Sequence, residues 1–173
     1  MIRTLAEFRA PWSRPLRVTT IVSAGVLLGA VLVGSLTGPR HLLVWWLVMV
    51  GIPLIVFTAS LPFMVRGYGL TEQSIEVRRL GWTTTLPLLG LVSVTGDAEA
   101  LRSAWRLNGG LFGITGWFWN RRLGRFRAFA TDPPRGVLLR YSNRKVVVTP
   151  HDTQHFIVRV RTLAGLRNSG IGF

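Results

Sequence analysis

Residues 108–129 read NGGLFGITGWFWNRRLGRFRAF, with five glycines, six aromatics, four arginines and no acidic residue. A phosphate-cradling loop, a membrane-surface patch, a platform for single-stranded nucleic acid and a pair of glycine-bent strands all use such a mixture. Gly110, Gly113 and Gly116 give G-x-x-G-x-x-G, which is neither the dinucleotide fingerprint nor a P-loop, since no Gly-Lys-Ser/Thr follows. A phosphate loop also runs directly into a helix, and Trp117-Phe118-Trp119 is a poor helix start. Nucleotide binding is therefore not expected. A nucleic-acid platform needs aromatics on a basic groove, and Trp117, Trp119, Phe126 and Phe129 with Arg121, Arg122, Arg125 and Arg127 supply the ingredients.

Docking on a membrane surface suits these residues better. Trp and Phe favour the interfacial layer, and arginine meets lipid phosphate with a bidentate fork. A purely structural reading covers part of the stretch, because Arg125-Phe-Arg-Ala-Phe-Ala alternates like a strand. Residues 123–131 are thus expected as a strand with Phe126 or Phe129 inward, the glycines allowing bulges. Residues 113–120 lack clean alternation, so 111–122 is expected as an exposed tip. The candidate contact residues are Phe112, Trp117, Phe118, Trp119, Arg121, Arg122, Arg125 and Arg127. An exposed aromatic tip of this kind meets anionic lipid, another copy of the chain or a different protein.

Catalytic chemistry finds little footing. The seven acidic residues are spread along the chain, with no close pair in an apolar setting suited to acid–base work. His151 and His155 stand four apart in the C-terminal segment, a spacing that can clasp a metal on a helix, but no third ligand supports them. No G-x-S-x-G or similar nucleophile setting occurs, and there is no cysteine. Neither an enzyme nor a bound cofactor or metal is expected.

The elements that must carry the arginine-aromatic stretch begin with two uncharged apolar runs. Residues 18–38 and 42–65 are 21 and 24 residues long, and a bilayer core needs roughly 20 helical residues. The first run exceeds a signal-peptide apolar region and the second follows at once, so cleavage is not expected. Three connecting residues, Pro39 to His41, force the helices antiparallel. Arg3, Arg9, Arg14 and Arg17 flank the first helix and Arg66, Arg78 and Arg79 follow the second, against Arg40 alone between them. The positive-inside rule then places both ends in the cytoplasm. Trp45 and Trp46 suit either the outer interface or packing between the helices, and Pro53 and Pro62 are expected as kinks.

Net charge is +14, and residues 66–173 hold 16 basic and 6 acidic residues, hence +10. A basic domain tethered at an anionic leaflet gains about 1 kcal/mol per residue close to the surface. Nucleic acid is the other usual partner for such charge, and the tether makes it the less expected one. Beyond residue 66 the pattern becomes short alternating runs. Ile75 and Val77 face one way while Glu76 and Arg78 face the other, and Pro87 marks a strand edge or bend. Val137 to Tyr141 and Lys145 to Thr149 flank Ser-Asn-Arg as a hairpin. A last helix is expected with Thr149 as cap, Pro150 first, and Phe156, Val160, Leu163 and Ala164 on one stripe ending at Gly165. About seven short antiparallel strands and one covering helix predict a small closed barrel.

The domain resembles the bacterial pleckstrin-homology (PH-like) proteins, in the subgroup that couples the domain to a transmembrane hairpin. The resemblance is carried by Tyr68-Gly-Leu-Thr with Ile75-Glu-Val-Arg-Arg, by Leu86-Pro-Leu with Leu91 and Val94, and by Val147-Val-Thr-Pro150 with Asp152 and Phe156. Its most specific part is Asn108-Gly-Gly-Leu-Phe-Gly with Gly116-Trp-Phe and Leu123-Gly-Arg-Phe-Arg-Ala-Phe-Ala-Thr. It implies an α+β membrane protein: a basic cytoplasmic segment at 1–17, the hairpin at 18–65, a seven-stranded PH-like barrel at 66–165 capped by a C-terminal helix, and a tail at 166–173. It implies residence in a bacterial cytoplasmic membrane as a multi-pass protein with both termini cytoplasmic, and a non-catalytic interaction or assembly role. The alternative is an accessory subunit of a transport or envelope-maintenance complex acting mainly through its transmembrane helices. PH domains that hold phosphoinositides carry lysines and arginines at the turn between their first two strands. Here that turn is Thr71-Glu-Gln-Ser, acidic and polar, which speaks against inositol-phosphate binding there.

Overall fold

The structure is a computed structural model that describes residues 4–39, 41–102, 104–109 and 114–166, with residues 105–109 described through their backbone alone. The first apolar run forms a helix at Arg14–Thr37, whose N-cap Ser13 accepts from the Leu16 N–H at 3.4 Å. The second forms a helix at Leu43–Phe63, and both are long and apolar enough to cross a membrane. Only 6% of the most apolar window of each is buried. A core helix of a soluble protein would be mostly covered, whereas the protein itself leaves most of these side chains uncovered. The Trp45 indole N–H donates to the Gly34 carbonyl at 3.1 Å, which settles that ring as packing between helices.

Both prolines leave their mark. Residues Leu47–Gly51 form a π-helical turn, closed by the Ile52 N–H on the Leu47 carbonyl. Pro53 follows directly and has no N–H to give the Met49 carbonyl, so the extra residue is inserted where the ordinary ladder fails. Pro62 tightens the end into a 3-10 turn at Leu61–Phe63.

Among the described residues the remainder is ten strands in two sheets with a C-terminal helix, rather than the expected seven-stranded antiparallel barrel. The four-stranded sheet has the order β1 (Ala6–Arg9), β2 (Val65–Leu70), β3 (Ser74–Arg79), β4 (Thr83–Pro87). The six-stranded sheet comprises β5 (Leu91–Gly96), β6 (Trp105–Gly109), β7 (Ile114–Asn120), β8 (Gly124–Ala130), β9 (Val137–Tyr141) and β10 (Lys145–Val148). Its order is β5-β9-β10-β8-β7-β6, and the β8–β10 pair is parallel. The expected β9–β10 hairpin is present, with Lys145 opposite Arg140, and Pro87 ends the edge strand β4.

β1 lies in the segment expected to be a mere basic flank. Ala6, Phe8 and Ala10 alternate with Leu5, Glu7 and Arg9, and the chain pairs Phe8 with Tyr68 in an antiparallel ladder. Phe8 is buried and meets the Phe156 ring edge-on at 5.2 Å. On its other side Glu7 pairs with Arg78 at 2.5 Å.

The main core lies between the sheets under the C-terminal helix, built from β2, β3, β5, β8, β9 and β10 with Phe156, Ile157 and Val160. Tyr68 ties the two sheets: its hydroxyl donates to the Phe129 carbonyl at 2.6 Å and accepts from the Thr149 N–H at 3.1 Å. Burial pushes its pKa up to about 12. The neutral phenol is the form the fold favours, so its contribution is complete below pH 10 and is lost as pH rises toward 12. A second core lies on the opposite face of the six-stranded sheet, where Phe118, Leu123, Phe126 and Ala128 are covered by the loop carrying Ala100 and Leu101.

The C-terminal helix runs Thr153–Leu163, shorter at its start than expected. Asp152 is the cap, accepting from the His155 N–H at 3.0 Å. Thr149 is buried instead and accepts from the Thr131 N–H at 2.9 Å. The predicted stripe holds: Phe156 and Val160 are buried, Leu163 and Ala164 partly so, and Gly165 ends the helix.

Candidate functional site

Both apolar helices leave the domain at one end, through adjacent strands. β1 is followed within five residues by the first helix, and only Met64 separates the second helix from β2. The turn between β3 and β4 is fastened to the same end. Leu80 N–H donates to the Met64 carbonyl at 3.0 Å and Gly81 N–H to the Pro62 carbonyl at 3.2 Å. A Cβ at Gly81 would come within 2.5 Å of Pro62 Cβ, so only glycine allows this approach. Phe63 and Trp82 meet edge-on at 4.9 Å, and Ser13 N–H reaches the Thr131 carbonyl at 3.2 Å. Exposed Arg14, Arg17 and Arg66 surround this end.

Here the inner face of the four-stranded sheet presents an arginine. Ile75, Val77 and Arg79 share one face of β3, and Arg79 is 8% exposed. Its guanidinium lies 4.7 Å from the Phe129 ring centroid and 5.3 Å from that of Trp82. The Arg127 guanidinium lies 4.8 Å from the same Phe129 ring. The ring faces lend some attraction to each cation, typically about 0.5–2 kcal/mol. Thr84 Oγ1 accepts from Arg79 Nη2 at 3.0 Å, while Arg79 Nε has no hydrogen-bond partner. Burial first, and the Arg127 charge second, hold the Arg79 pKa below the usual arginine value.

Across the β7–β8 ladder Thr115 faces Phe129, Trp117 faces Arg127 and Trp119 faces Arg125. Antiparallel partners share a face, so these six side chains form one surface. Thr115 is 6% exposed and its hydroxyl is also without a partner. The Arg125 guanidinium stacks on Trp117 at 4.4 Å. None of Arg79, Arg125 and Arg127 forms an ion pair with a described residue. The result is a cationic, aromatic surface whose arginines have no carboxylate partner among the described residues.

The sequence-derived residues divide accordingly. Trp117, Trp119, Arg125 and Arg127 come together on this face. Phe118 points the other way, is buried in the second core and stacks on Phe126 at 5.9 Å. Arg121 and Arg122 sit in the β7–β8 turn at the far end, where Arg122 engages Asp97 at 2.5 Å. Phe112 lies outside the described residues. The expected exposed tip is therefore strand through residues 114–120, and only Trp119, of its described aromatics, is largely exposed. Phe126 and Phe129 are both fully buried, on opposite faces of β8. Arg79, Trp82 and Thr115 were not anticipated, although the period of two in β3 places Arg79 beside Ile75 and Val77. His151 precedes the C-terminal helix and His155 accepts from Arg159 Nε at 3.3 Å, so the two do not form the helical i, i+4 pair.

Two sheets around a main core, closed by a C-terminal helix and joined to two apolar helices, define a PH-like domain with a helical N-terminal extension. The chain belongs to the bacterial PH domain family, whose family model matches residues 66–164. Comparisons with curated proteins and with solved structures return no match. Such domains are generally non-catalytic and mediate protein or lipid interactions.

Proposed function

We propose that the protein is a membrane-anchored, non-catalytic interaction module. The two apolar helices cross the bacterial cytoplasmic membrane as a hairpin with both termini cytoplasmic, and the domain presents its Trp117, Trp119, Arg125 and Arg127 face to an acidic partner at the leaflet. The observation that carries this reading is the junction: uncovered apolar helices run into adjacent strands through short connections, ringed by Arg14, Arg17 and Arg66. Connections this short hold the domain against the headgroups instead of letting it swing on a linker. The arginines favour the anionic, cytoplasmic side.

The absence of cysteine makes the topology readable. In intact cells, His41→Cys is expected to react with a membrane-impermeant maleimide, and Ser142→Cys only after permeabilisation. Labelling of Ser142→Cys from outside, or of neither residue in its predicted compartment, contradicts the placement.

A further inference from the structure

We propose that Arg79, Arg127 and Thr115, gathered around the Phe129 ring, form a phosphate site, and that its occupant is the phosphate of an anionic phospholipid. The lipid half of this assignment rests on the membrane placement above. The charge around the Phe129 ring is unbalanced. Two guanidiniums lie 4.7 and 4.8 Å from one ring centroid, and neither has a carboxylate partner among the described residues. Arg79 Nε and Thr115 Oγ1 are each more than nine-tenths buried as residues and lack any hydrogen-bond partner. Buried donors without partners are rare. These two belong to residues that both adjoin Phe129, Arg79 through its ring and Thr115 as its cross-strand partner, where one acceptor would serve both. A phosphate meets all three residues at once. Its oxygens accept from the Arg79 fork, from Arg127 and from the Thr115 hydroxyl, and its charge cancels the repulsion between the arginines.

The surroundings select the source of that phosphate. Trp82, 5.3 Å from the Arg79 guanidinium, stacks edge-on against Phe63 at the end of the second apolar helix. Arg79 thus lies at the end of the domain where the apolar helices stop, close to the level of lipid headgroups in the proposed placement. Thr115 and Phe129 lie near the same end of the β7–β8 ladder, with Arg127 two residues further along β8. Arg79 stands five residues along β3 from Ser74, roughly 17 Å by strand rise. The site is therefore separate from the acidic Thr71–Ser74 turn, at the opposite end of the sheet.

The test uses the full chain in uncharged detergent micelles, titrated with phosphatidylglycerol, phosphatidylcholine or inorganic phosphate and read by native mass spectrometry. Phosphatidylglycerol is expected to bind at least tenfold more tightly than phosphatidylcholine, whose choline would bring a cation to the arginines. Arg79→Met is expected to lower phosphatidylglycerol affinity about tenfold, as loss of one charge-assisted contact does. Thr115→Val, a change of nearly equal volume, is expected to lower it several-fold, while exposed Arg140→Met leaves it unchanged. Equal affinity in wild type, Arg79→Met and Thr115→Val overturns the site. Competition by inorganic phosphate at the lipid's own concentration overturns the lipid assignment. Binding in micelles does not depend on orientation, so cysteine labelling can fail while the site stands, and the reverse.

Discussion

Arg79→Met is expected to leave the protein more stable, by about 1–3 kcal/mol, even as it loses its anionic lipid. Replacing a buried charge with an apolar side chain of similar length is often neutral or stabilising, because the desolvation cost of the ion disappears with it. Here no carboxylate among the described residues compensates that cost, and Arg127 adds repulsion. What is given up is one hydrogen bond to Thr84 and the contacts with Phe129 and Trp82. Methionine can fill much of the same volume against those rings. The comparison is the midpoint of unfolding of the full chain in lipid-free detergent. A midpoint lowered by several degrees would show Arg79 to be a structural arginine, and the reading of it as a ligand would fail. Gain of stability with loss of binding is the usual signature of a residue kept for function.

Phe156→Ala is expected to act in the opposite direction and more strongly, costing about 3–5 kcal/mol. The ring is fully buried and meets Phe8 of β1 at 5.2 Å and Tyr68 of β2 at 6.4 Å, both edge-on. It is the point where the C-terminal helix, the N-terminal strand and the sheet-tying tyrosine come together. Removing it leaves a cavity that three separate elements would have to close, and strands held in ladders cannot shift far. Most small domains have only about 5–15 kcal/mol in total, so unfolding by denaturant should move to clearly lower concentration. A cost below about 1 kcal/mol would mean that β1 and the helix do not pack as described.

The sequence was most readable where one face of an element is apolar and the other is not. The alternation in Ile75-Glu-Val-Arg and the stripe of Phe156 and Val160 each predicted their element and its buried side, and the two uncharged runs predicted their helices. β1 was equally legible in Ala6, Phe8 and Ala10, but basic residues around so short a run drew attention to topology instead. The parallel β8–β10 pair had no local signal. Turn chemistry fixes which strands are joined, as in the β9–β10 hairpin, and says nothing of which strand that hairpin then slots beside.

The site was half legible for a related reason. Leu111 to Arg122 resisted the strand reading because β7 is apolar on both faces, Phe118 entering one core while Trp117 lies among arginines on the other. A strand with large apolar side chains on both faces shows no polar alternation to count. Arg79 could have been found from the period of β3, which sets it inward, where an arginine is out of place. Its ring partner could not, because Phe129 reaches it from the other sheet, bringing its cross-strand neighbour Thr115 to the same side.

The central claim is that the domain stands on the membrane with its Arg79 end against the headgroups and its Glu72–Gln73 end away from them. Single cysteines at two exposed positions, Leu80→Cys and Gln73→Cys, can carry a fluorophore in the full chain, reconstituted into phosphatidylglycerol nanodiscs with headgroup-attached quencher. Strong quenching at position 80 and little at position 73 is the predicted result. Equal quenching, or stronger quenching at position 73, would contradict the account.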